Sequence, residues 1–275
     1  MSKLLPQLLG KTINTISYFQ PKLAAKYAVK LFSTPQKGQI TEEQKPFLNT
    51  AIHDAITFDD ITIKTYLWGG SKDTILLVHG WESNAFRWKD LIELLQKEDY
   101  NIVAIDAPAH GGSNNKIFNA ILYSECINVA VKTYKPSIVI GHSIGGTASI
   151  IAQENYDLPV IKKNVLLGAP SNLAISVKNY ANFMGFNKIV TKAVDTYYLK
   201  HFKQLPGFYC AENFYKNNDT QGIIIHDKKD KIISYREALD IKRYYKNAEL
   251  IKTIGLGHRL KSNDVYQHIL EFLKA

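Results

Sequence analysis

From about residue 50 onward, short runs of aliphatic and β-branched residues alternate with longer segments that repeat apolar residues at helical spacing. This alternation predicts parallel strands connected by helices, which is an α/β architecture with a mostly parallel central sheet flanked by helices. Runs such as Ile138-Val139-Ile140 are apolar at consecutive positions, as expected for strands buried on both faces. The pattern predicts strands over residues 61–67, 74–79, 101–106, 137–142, 163–168, 222–226 and 248–254, and helices over residues 86–98, 117–134, 144–155, 235–245 and 262–273.

Two segments depart from this alternation. Residues 55–58, followed by Asp59-Asp60, predict the first arm of an antiparallel hairpin at the edge of the sheet. The connection between the strands that end at Gly168 and begin at Gly222 is far longer than the dozen or so residues of a plain crossover. We interpret residues 171–215, which are rich in aromatic residues, as a small helical cap inserted into a core formed by residues 50–170 and 216–275. Most of these rings would pack the cap onto the core, and a few would line the mouth of a pocket.

Residues 1–49 are predicted to form a basic N-terminal extension, and residues 21–32 have the pattern of an amphipathic helix. Its apolar face can dock on the hydrophobic surface of the main domain, or the helix can lie on an anionic membrane surface. Docking is the commoner role of such a helix, so the sequence favours it over membrane contact. The apolar face carries Leu23, Ala24, Tyr27, Ala28 and Leu31, and the opposite face carries Lys22, Lys26 and Lys30.

The composition is that of a globular chain, with 45% hydrophobic and 21% charged residues. The net charge is +9, from 34 basic and 25 acidic residues, but nearly all of the basic residues are lysines. Base-reading interfaces favour bidentate arginine, so no nucleic-acid partner is predicted. No apolar run approaches the ~20 residues that a membrane span requires. The arginines are Arg87, Arg236, Arg243 and Arg259.

The two cysteines, Cys126 and Cys210, are far apart in the chain and belong to no CxxC motif. They form neither a disulfide framework nor a zinc motif, and the sequence contains no HExxH or phosphate-binding glycine loop. We therefore expect a reducing, cytoplasmic environment, no cofactor and no metal.

The strongest chemical motif is Gly141-His142-Ser143-Ile144-Gly145, which lies between an apolar strand and a helical run. A G-x-S-x-G motif in this setting predicts a sharp turn that presents the serine hydroxyl above the sheet. Small residues around Ser143 allow the strand and the helix to approach each other closely. The helix that follows places free amide groups near the serine, where negative charge would develop during acyl transfer. Ser143 is the candidate nucleophile.

A serine nucleophile requires a base, an acid that orients the base, and donors for an oxyanion. His258 lies in a glycine-bearing loop between the last strand and the last helix, and we predict that it is the base. Asp230, in the loop after the strand at 222–226, is the predicted acid, because one helix and one strand separate it from His258. This spacing brings both loops to the carboxyl edge of the sheet. Asp227 in the same loop remains an alternative.

The oxyanion donors are predicted to be backbone amides. One is the amide of Ile144, the residue after the nucleophile, and the other is the amide of Trp81 in the loop His79-Gly80-Trp81. Gly80 allows that loop to bend sharply. His79 itself is expected to be a buried structural residue.

Several of these segments, in order, resemble the α/β-hydrolase superfamily, and in particular its small-cap serine hydrolases of the esterase, lipase and serine aminopeptidase type. The resemblance covers about residues 50–275. It implies the α/β-hydrolase fold, a Ser-His-Asp triad, and structural roles for Asp106 and His110. Ser234 stands where the family usually has proline. The segments that carry the resemblance are Val78-His79-Gly80-Trp81, Asp106-Ala107-Pro108-Ala109-His110-Gly111-Gly112-Ser113, the nucleophile motif, Asp230-Lys231-Ile232-Ile233 and Gly255-Leu256-Gly257-His258.

The expected activity is hydrolysis of a small-molecule ester through an acyl-enzyme, by a carboxylic ester hydrolase that acts on small or medium apolar esters. Two alternatives remain open at this point. One is hydrolysis of an amide, thioester or carbon-carbon bond by the same residues. The other is a non-catalytic protein of this fold that binds a small ligand. The sequence leaves the natural substrate, the acyl length and the oligomeric state undetermined.

Overall fold

The computed structural model describes residues 4–275 of the chain. Its contacts divide the chain into two compact units. We call residues 4–34 together with Asn172–Asn213 the helical unit, and Pro35–Ser171 together with Phe214–Ala275 the sheet unit. The helical unit thus joins the first part of the N-terminal extension to the inserted segment, which the sequence analysis treats as separate domains.

Within the described residues, the sheet unit contains one eight-stranded sheet in the order β1-β2-β4-β3-β5-β6-β7-β8. The sheet is parallel from β4 through β8, while β1 pairs antiparallel with β2 and β2 pairs antiparallel with β4. The predicted edge hairpin is confirmed. The strands are β1 (Ile52–Phe58), β2 (Ile61–Trp68), β3 (Thr74–Val78), β4 (Asn101–Ile105), β5 (Ile138–His142), β6 (Lys163–Leu167), β7 (Gln221–Asp227) and β8 (Ala248–Thr253).

The central strands are buried on both faces. In β3, Ile75, Leu76, Leu77 and Val78 are all fully buried, although alternate side chains point to opposite sides of the sheet. The alternation predicted from the sequence is confirmed for the strands and for the helices that connect them. The helices of the sheet unit are α3 (Lys45–Leu48), α4 (Lys89–Lys97), α5 (Ala120–Tyr134), α6 (Ile144–Asn155), α10 (Tyr235–Tyr244) and α11 (Asn263–Lys274). The residues of α9 (Ala211–Tyr215) are divided between the two units.

The helical unit has a hydrophobic core of its own. Ile13 of the first helix and the alanines of the second pack with Val190, Val194 and Tyr198. Ala24 and Ala28 of the predicted apolar face thus pack on the inserted segment, while Tyr27 and Leu31 of that face are exposed. The first helix was not predicted from the sequence. The helices of this unit are α1 (Leu4–Phe19), α2 (Pro21–Ser33), α7 (Leu173–Met184) and α8 (Lys188–Phe202).

The helical unit also contains a cavity of about 720 Å³, which falls in the size range of small-molecule pockets. Three of the aromatic residues that mark the inserted segment, Tyr180, Phe186 and Tyr198, line it together with Phe32 of α2. Burial raises the pKa of Tyr180 to about 12. Aliphatic and aromatic side chains make up most of the lining, so the cavity is predominantly apolar. The hydroxyl of Tyr180 stays protonated at neutral pH.

In residues 4–275, we find no helix that is both long enough and apolar enough to cross a membrane.

Candidate active site

Ser143 occupies the turn between β5 and α6 with backbone angles of φ 53° and ψ −133°. A positive φ with this ψ is a sparsely populated conformation for a residue with a side chain, and it costs about 1–3 kcal/mol. The strand pairing holds the turn in place, since the amide of Ser143 donates a hydrogen bond of 2.7 Å to the carbonyl of Leu167 at the end of β6. The strained turn predicted around the serine is therefore present.

The glycines of the motif allow β5 and α6 to approach each other. A Cβ atom on Gly141 would lie 2.4 Å from the Cα atom of Gly146. No side chain fits at that distance, because real Cβ contacts are longer. Because Gly141 has no side chain, the start of α6 can pack directly against the end of β5, with Ser143 in the turn between them.

His258 lies beside Ser143, in the loop that follows β8. Its Nε2 atom is 2.9 Å from Oγ of Ser143, and its Nδ1 atom is 2.7 Å from Oδ2 of Asp230. A carboxylate can only accept, so Nδ1 carries the proton, and Nε2 is free to accept a hydrogen bond from the serine hydroxyl. The side chain of Asp230 is fully buried, while 18% of the His258 side chain is exposed. The structure thus brings together the three residues predicted as nucleophile, base and acid.

The Asp230 carboxylate is held by several donors. Its Oδ1 atom accepts hydrogen bonds from the amides of Ile232 and Ile233, and Nε2 of His226 lies 3.4 Å from Oδ2. Burial by itself raises the pKa of Asp230, but hydrogen bonds from His226, from His258 and from the two amides outweigh it and hold that pKa below its ordinary value. Asp230 is therefore a carboxylate at neutral pH.

Asp227, the alternative acid, makes different contacts. Its Oδ2 atom accepts hydrogen bonds from the Thr253 hydroxyl and the Leu256 amide, both at 2.9 Å, and its Oδ1 atom accepts one from the Lys229 amide. These bonds connect the loop after β7 to the loop that carries His258. Asp227 holds the two loops together, while Asp230 contacts the imidazole.

Two further histidines, which are not among the residues predicted from the sequence, support the site. Nε2 of His142 lies 2.8 Å from the backbone carbonyl of His258, so the nucleophile motif itself anchors the histidine loop. Burial lowers the pKa of His142 well below its ordinary value, which keeps the ring neutral. Nε2 of His226 lies 2.9 Å from the carbonyl of Ile233, so it fixes the loop that contains Asp230. Their positions directly beside Ser143 and Asp227 in the sequence are the signal that could have identified them.

The loop after β3 passes close to Ser143. A Cβ atom on Gly80 would lie 2.8 Å from Cβ of Ser143, so only glycine permits this approach. Within residues 4–275, neither the amide of Trp81 nor that of Ile144 donates a hydrogen bond to another protein group. Trp81 follows Gly80 and Ile144 follows Ser143, so both amides lie next to this close approach, and both remain available for a ligand.

Buried residues from the segment after β4 hold this loop. Asp106 accepts hydrogen bonds from the Ala85 amide at 2.7 Å and from the Tyr66 hydroxyl at 2.9 Å. Nε2 of His110 accepts a hydrogen bond of 3.0 Å from the amide of Glu82, the residue after Trp81. Both side chains thus fix the backbone that carries the Trp81 amide.

His79 makes a similar pair of bonds. Its Nδ1 atom lies 2.7 Å from the Gly80 carbonyl, and its Nε2 atom accepts a hydrogen bond of 2.9 Å from the Ala107 amide. A carbonyl on one side and an amide donor on the other fit only a neutral imidazole. Burial lowers the pKa of His79 to about 3, which agrees with this geometry. His79 therefore has a structural role at the base of the loop.

In the part of the chain that the structure describes, no three His, Cys, Asp or Glu side chains converge in the manner of metal ligands.

A family model described as "Alpha/beta hydrolase family" matches residues 75–258, which is more than half of the chain and includes Ser143, Asp230 and His258. The chain belongs to the alpha/beta hydrolase family. This alpha/beta hydrolase is 29% identical over 125 residues to a dihydrolipoyllysine-residue acetyltransferase component of an acetoin cleaving system from Cupriavidus necator, a match that covers 44% of this chain and 33% of that protein. It is 30% identical over 86 residues to the hydrolase YugF of Bacillus subtilis, covering 30% of this chain and 31% of YugF.

The matches thus span only about a third of the length of these curated relatives. Among solved structures, the alpha/beta hydrolase is similar to the esterase Pf2001 of Pyrococcus furiosus. The TM-score is 0.65 at 20% identity, and the match covers 88% of this chain and 98% of that one. At this level of identity, the similarity shows a shared fold.

Proposed function

We propose that this alpha/beta hydrolase cleaves carboxylic esters through a covalent acyl-enzyme formed on Ser143. The observation that carries the proposal is the continuous hydrogen-bonded line from Ser143 through His258 to Asp230, with distances of 2.9 and 2.7 Å. A nucleophile, a base in its neutral form and a carboxylate that orients the base are the groups that acyl transfer to serine requires.

In the first half of the reaction, Oγ of Ser143 attacks the ester carbonyl carbon, and Nε2 of His258 takes the hydroxyl proton. The carbonyl oxygen becomes an oxyanion, which the free amides of Trp81 and Ile144 stabilise. The carbon-oxygen bond to the alcohol then breaks, and His258 returns its proton to the departing alcohol. Asp230 stabilises the imidazolium while it exists, because the buried carboxylate contacts Nδ1.

In the second half, a water molecule attacks the acyl carbon, and Nε2 of His258 takes a proton from it. The same two amides stabilise the second oxyanion. The bond between the acyl carbon and Oγ breaks, and His258 returns the proton to Ser143. The products are one carboxylic acid and one alcohol, and the enzyme is regenerated.

For the substrate we propose a small or medium ester with an apolar acyl or alcohol group. The aromatic composition of residues 171–215 supports an apolar substrate. An esterase among the structures of the same fold is consistent with ester chemistry. We thus propose an ester bond and an apolar group on the substrate. The preferred acyl length is measured by the experiment described next.

The test is hydrolysis of p-nitrophenyl esters of increasing acyl length by the wild type, Ser143→Ala and Ser149→Ala. Ser149 is a buried serine of α6 whose hydroxyl bonds only to the Gly145 carbonyl within the described chain, so it is a matched control. Ser143→Ala is expected to reduce turnover by about 10⁴-fold or more, while Ser149→Ala stays within a few-fold of the wild type. A fluorophosphonate probe should label Ser143 in the wild type, as read by peptide mass spectrometry.

Full turnover in Ser143→Ala would reject Ser143 as the nucleophile. Hydrolysis of thioester or amide substrates, with none of any ester, would replace the proposed substrate class. Absence of both labelling and hydrolysis would favour a protein that uses this fold for ligand binding only.

A further inference from the structure

Nearly all of the net positive charge of the chain belongs to the helical unit. Its two segments contain nine lysines and no arginine, against the acids Asp195 and Glu212. The sheet unit has 24 basic and 23 acidic residues and is close to neutral. Every lysine of the helical unit between residues 4 and 275 is exposed, and none of them forms an ion pair with a carboxylate in that range. The helical unit thus presents uncompensated positive charge to solvent.

Helix α1 turns large apolar side chains toward solvent. Gly10, Ile13 and Ser17 are its buried residues, and at 3.6 residues per turn Leu8 and Phe19 lie on the opposite side. Leu8 is 62% exposed and Phe19 is 83% exposed, the highest value among the exposed large apolar residues of the described chain. A surface helix ordinarily places polar residues there, whereas the outer face of α1 places these large apolar side chains beside the polar residues Lys11, Thr12 and Thr15.

The rotation of α1 about its own axis is fixed by contacts inside the helical unit. The side-chain amide of Asn14 donates a hydrogen bond of 2.8 Å to the Gly185 carbonyl and accepts one of 2.8 Å from the Asn187 amide. A Cβ atom on Gly10 would lie 1.7 Å from the Met184 carbonyl oxygen, so the backbone of α1 lies directly against the end of α7. These contacts prevent a rotation of α1 about its axis that would bury its leucines and Phe19.

Helix α2 exposes lysines to solvent, as α1 exposes large apolar side chains. Its buried alanines pack inside the helical unit, and a row of three lysines spaced four residues apart runs along its exposed side. Tyr27 and Leu31, 44% and 37% exposed, flank this row. Residues 4–34 contain no acidic residue at all. The lysines of the row are Lys22, Lys26 and Lys30.

We propose that the helical unit docks on the surface of an anionic lipid bilayer, with the outer face of α1 among the headgroups and the lysines against the acidic lipids. Exposed leucine and phenylalanine together with exposed lysine, and almost no acid, are what binding in the interfacial layer requires. A second copy of the chain fits this face poorly, because two strongly positive units would meet. A nucleic acid would pair with the lysines but leave Leu8 and Phe19 in water. The proposal concerns binding and does not depend on the chemistry of Ser143.

The experiment measures co-sedimentation of the full chain with two kinds of vesicle. One consists of phosphatidylcholine alone, and the other contains phosphatidylcholine with about a third of phosphatidylglycerol. We expect affinity at least about ten-fold higher for the anionic vesicles, and a clear loss of binding when salt rises from 0.1 M to 0.5 M, because the Debye length shortens. Ser143→Ala is expected to bind as the wild type does, so a failure of the proposed hydrolysis would leave this result intact.

Variants separate the proposed face from the rest of the surface. Phe19→Gln, Leu8→Gln and Lys26→Glu are each expected to lower affinity for anionic vesicles by several-fold, and all three together by about a hundred-fold. Val160→Gln and Lys246→Glu are matched controls, since both side chains are exposed and lie in the sheet unit. Circular dichroism and thermal melting verify that each variant is folded.

Three outcomes would overturn the proposal. One is equal binding to neutral and anionic vesicles. Another is equal loss of binding in the control variants. The third is absence of vesicle binding together with self-association of the chain in sedimentation velocity, which would assign the apolar face of α1 to a second copy.

Discussion

Nδ1 of His258 lies 2.7 Å from Oδ2 of Asp230, while Asp227, only three positions earlier in the chain, contacts Thr253 and the Leu256 amide instead. The two aspartates share one loop but have different tasks. Asp230 determines which nitrogen of His258 carries the proton, and Asp227 keeps the two loops together.

The first prediction compares Asp230→Asn with Asp227→Asn. An amide at position 230 can donate to Nδ1 and favour the wrong tautomer, so we expect turnover of a p-nitrophenyl ester to fall by about 10⁴-fold with little change in KM. Asp227→Asn is expected to lower the free energy of unfolding by about 1–3 kcal/mol and to retain much more of the activity. Steady-state kinetics and urea denaturation of both variants give the comparison. The reverse order of the two activities would assign the acid to Asp227.

The second prediction concerns the strained backbone of Ser143. Glycine adopts a positive φ at no steric cost, so Ser143→Gly is expected to abolish hydrolysis and yet raise the free energy of unfolding by about 1 kcal/mol. Ser149→Gly, in the interior of α6, is the control and is expected to lower it by about 1 kcal/mol. Urea denaturation measures both changes. A destabilised Ser143→Gly would show that the turn stores no relievable strain.

The third prediction concerns the contact between β5 and α6. Gly141→Ala would place a methyl group 2.4 Å from the Cα atom of Gly146, and neither backbone can move without displacing Ser143. We expect a loss of about 3 kcal/mol or more in the free energy of unfolding, together with a large loss of turnover. Gly69→Ala is the matched control, because a Cβ atom there meets nothing within 4 Å. Normal stability and activity in Gly141→Ala would contradict the close approach.

The fourth prediction is a loss of stability in mild acid. His79 and His110 each accept a backbone amide at one nitrogen and lie against a carbonyl at the other, so the fold requires both rings to be neutral. Burial lowers the pKa of both, that of His79 to about 3, while the unfolded chain binds protons near pH 6.5. The unfolded state therefore takes up more protons as pH falls, and stability falls with it.

At pH 5, His79 alone is expected to contribute a loss of about 2 kcal/mol relative to pH 7.5. Asp106 offsets part of this, because burial raises its pKa to about 6 and the folded state gains a proton there. Urea denaturation at pH 7.5, 6.5, 5.5 and 5.0 measures the net change. Stability that stays constant or rises over this range would contradict the requirement for neutral rings.

The sequence by itself determined the fold and the identity of the chemical groups. Strand and helix positions follow from local periodicity, since a short run of β-branched residues such as Ile138-Val139-Ile140 is typical of a strand covered on both faces. The turn at Ser143 follows from steric limits on the neighbouring residues, which are local as well. Chain order along parallel strands then brings the loops that carry Asp230 and His258 to one edge of the sheet.

The tertiary structure decided what depends on contacts between distant segments. The sequence favours Asp230 but leaves Asp227 as an alternative, and only the path of the loop between β7 and α10 shows which one meets His258. The supporting roles of His142 and His226 depend on carbonyl groups presented by other loops. Helix α1 was not predicted because its buried side, which consists of Gly10, Ile13 and Ser17, contains only one large apolar residue. The sequence alone also does not show which side of such a helix the fold leaves exposed.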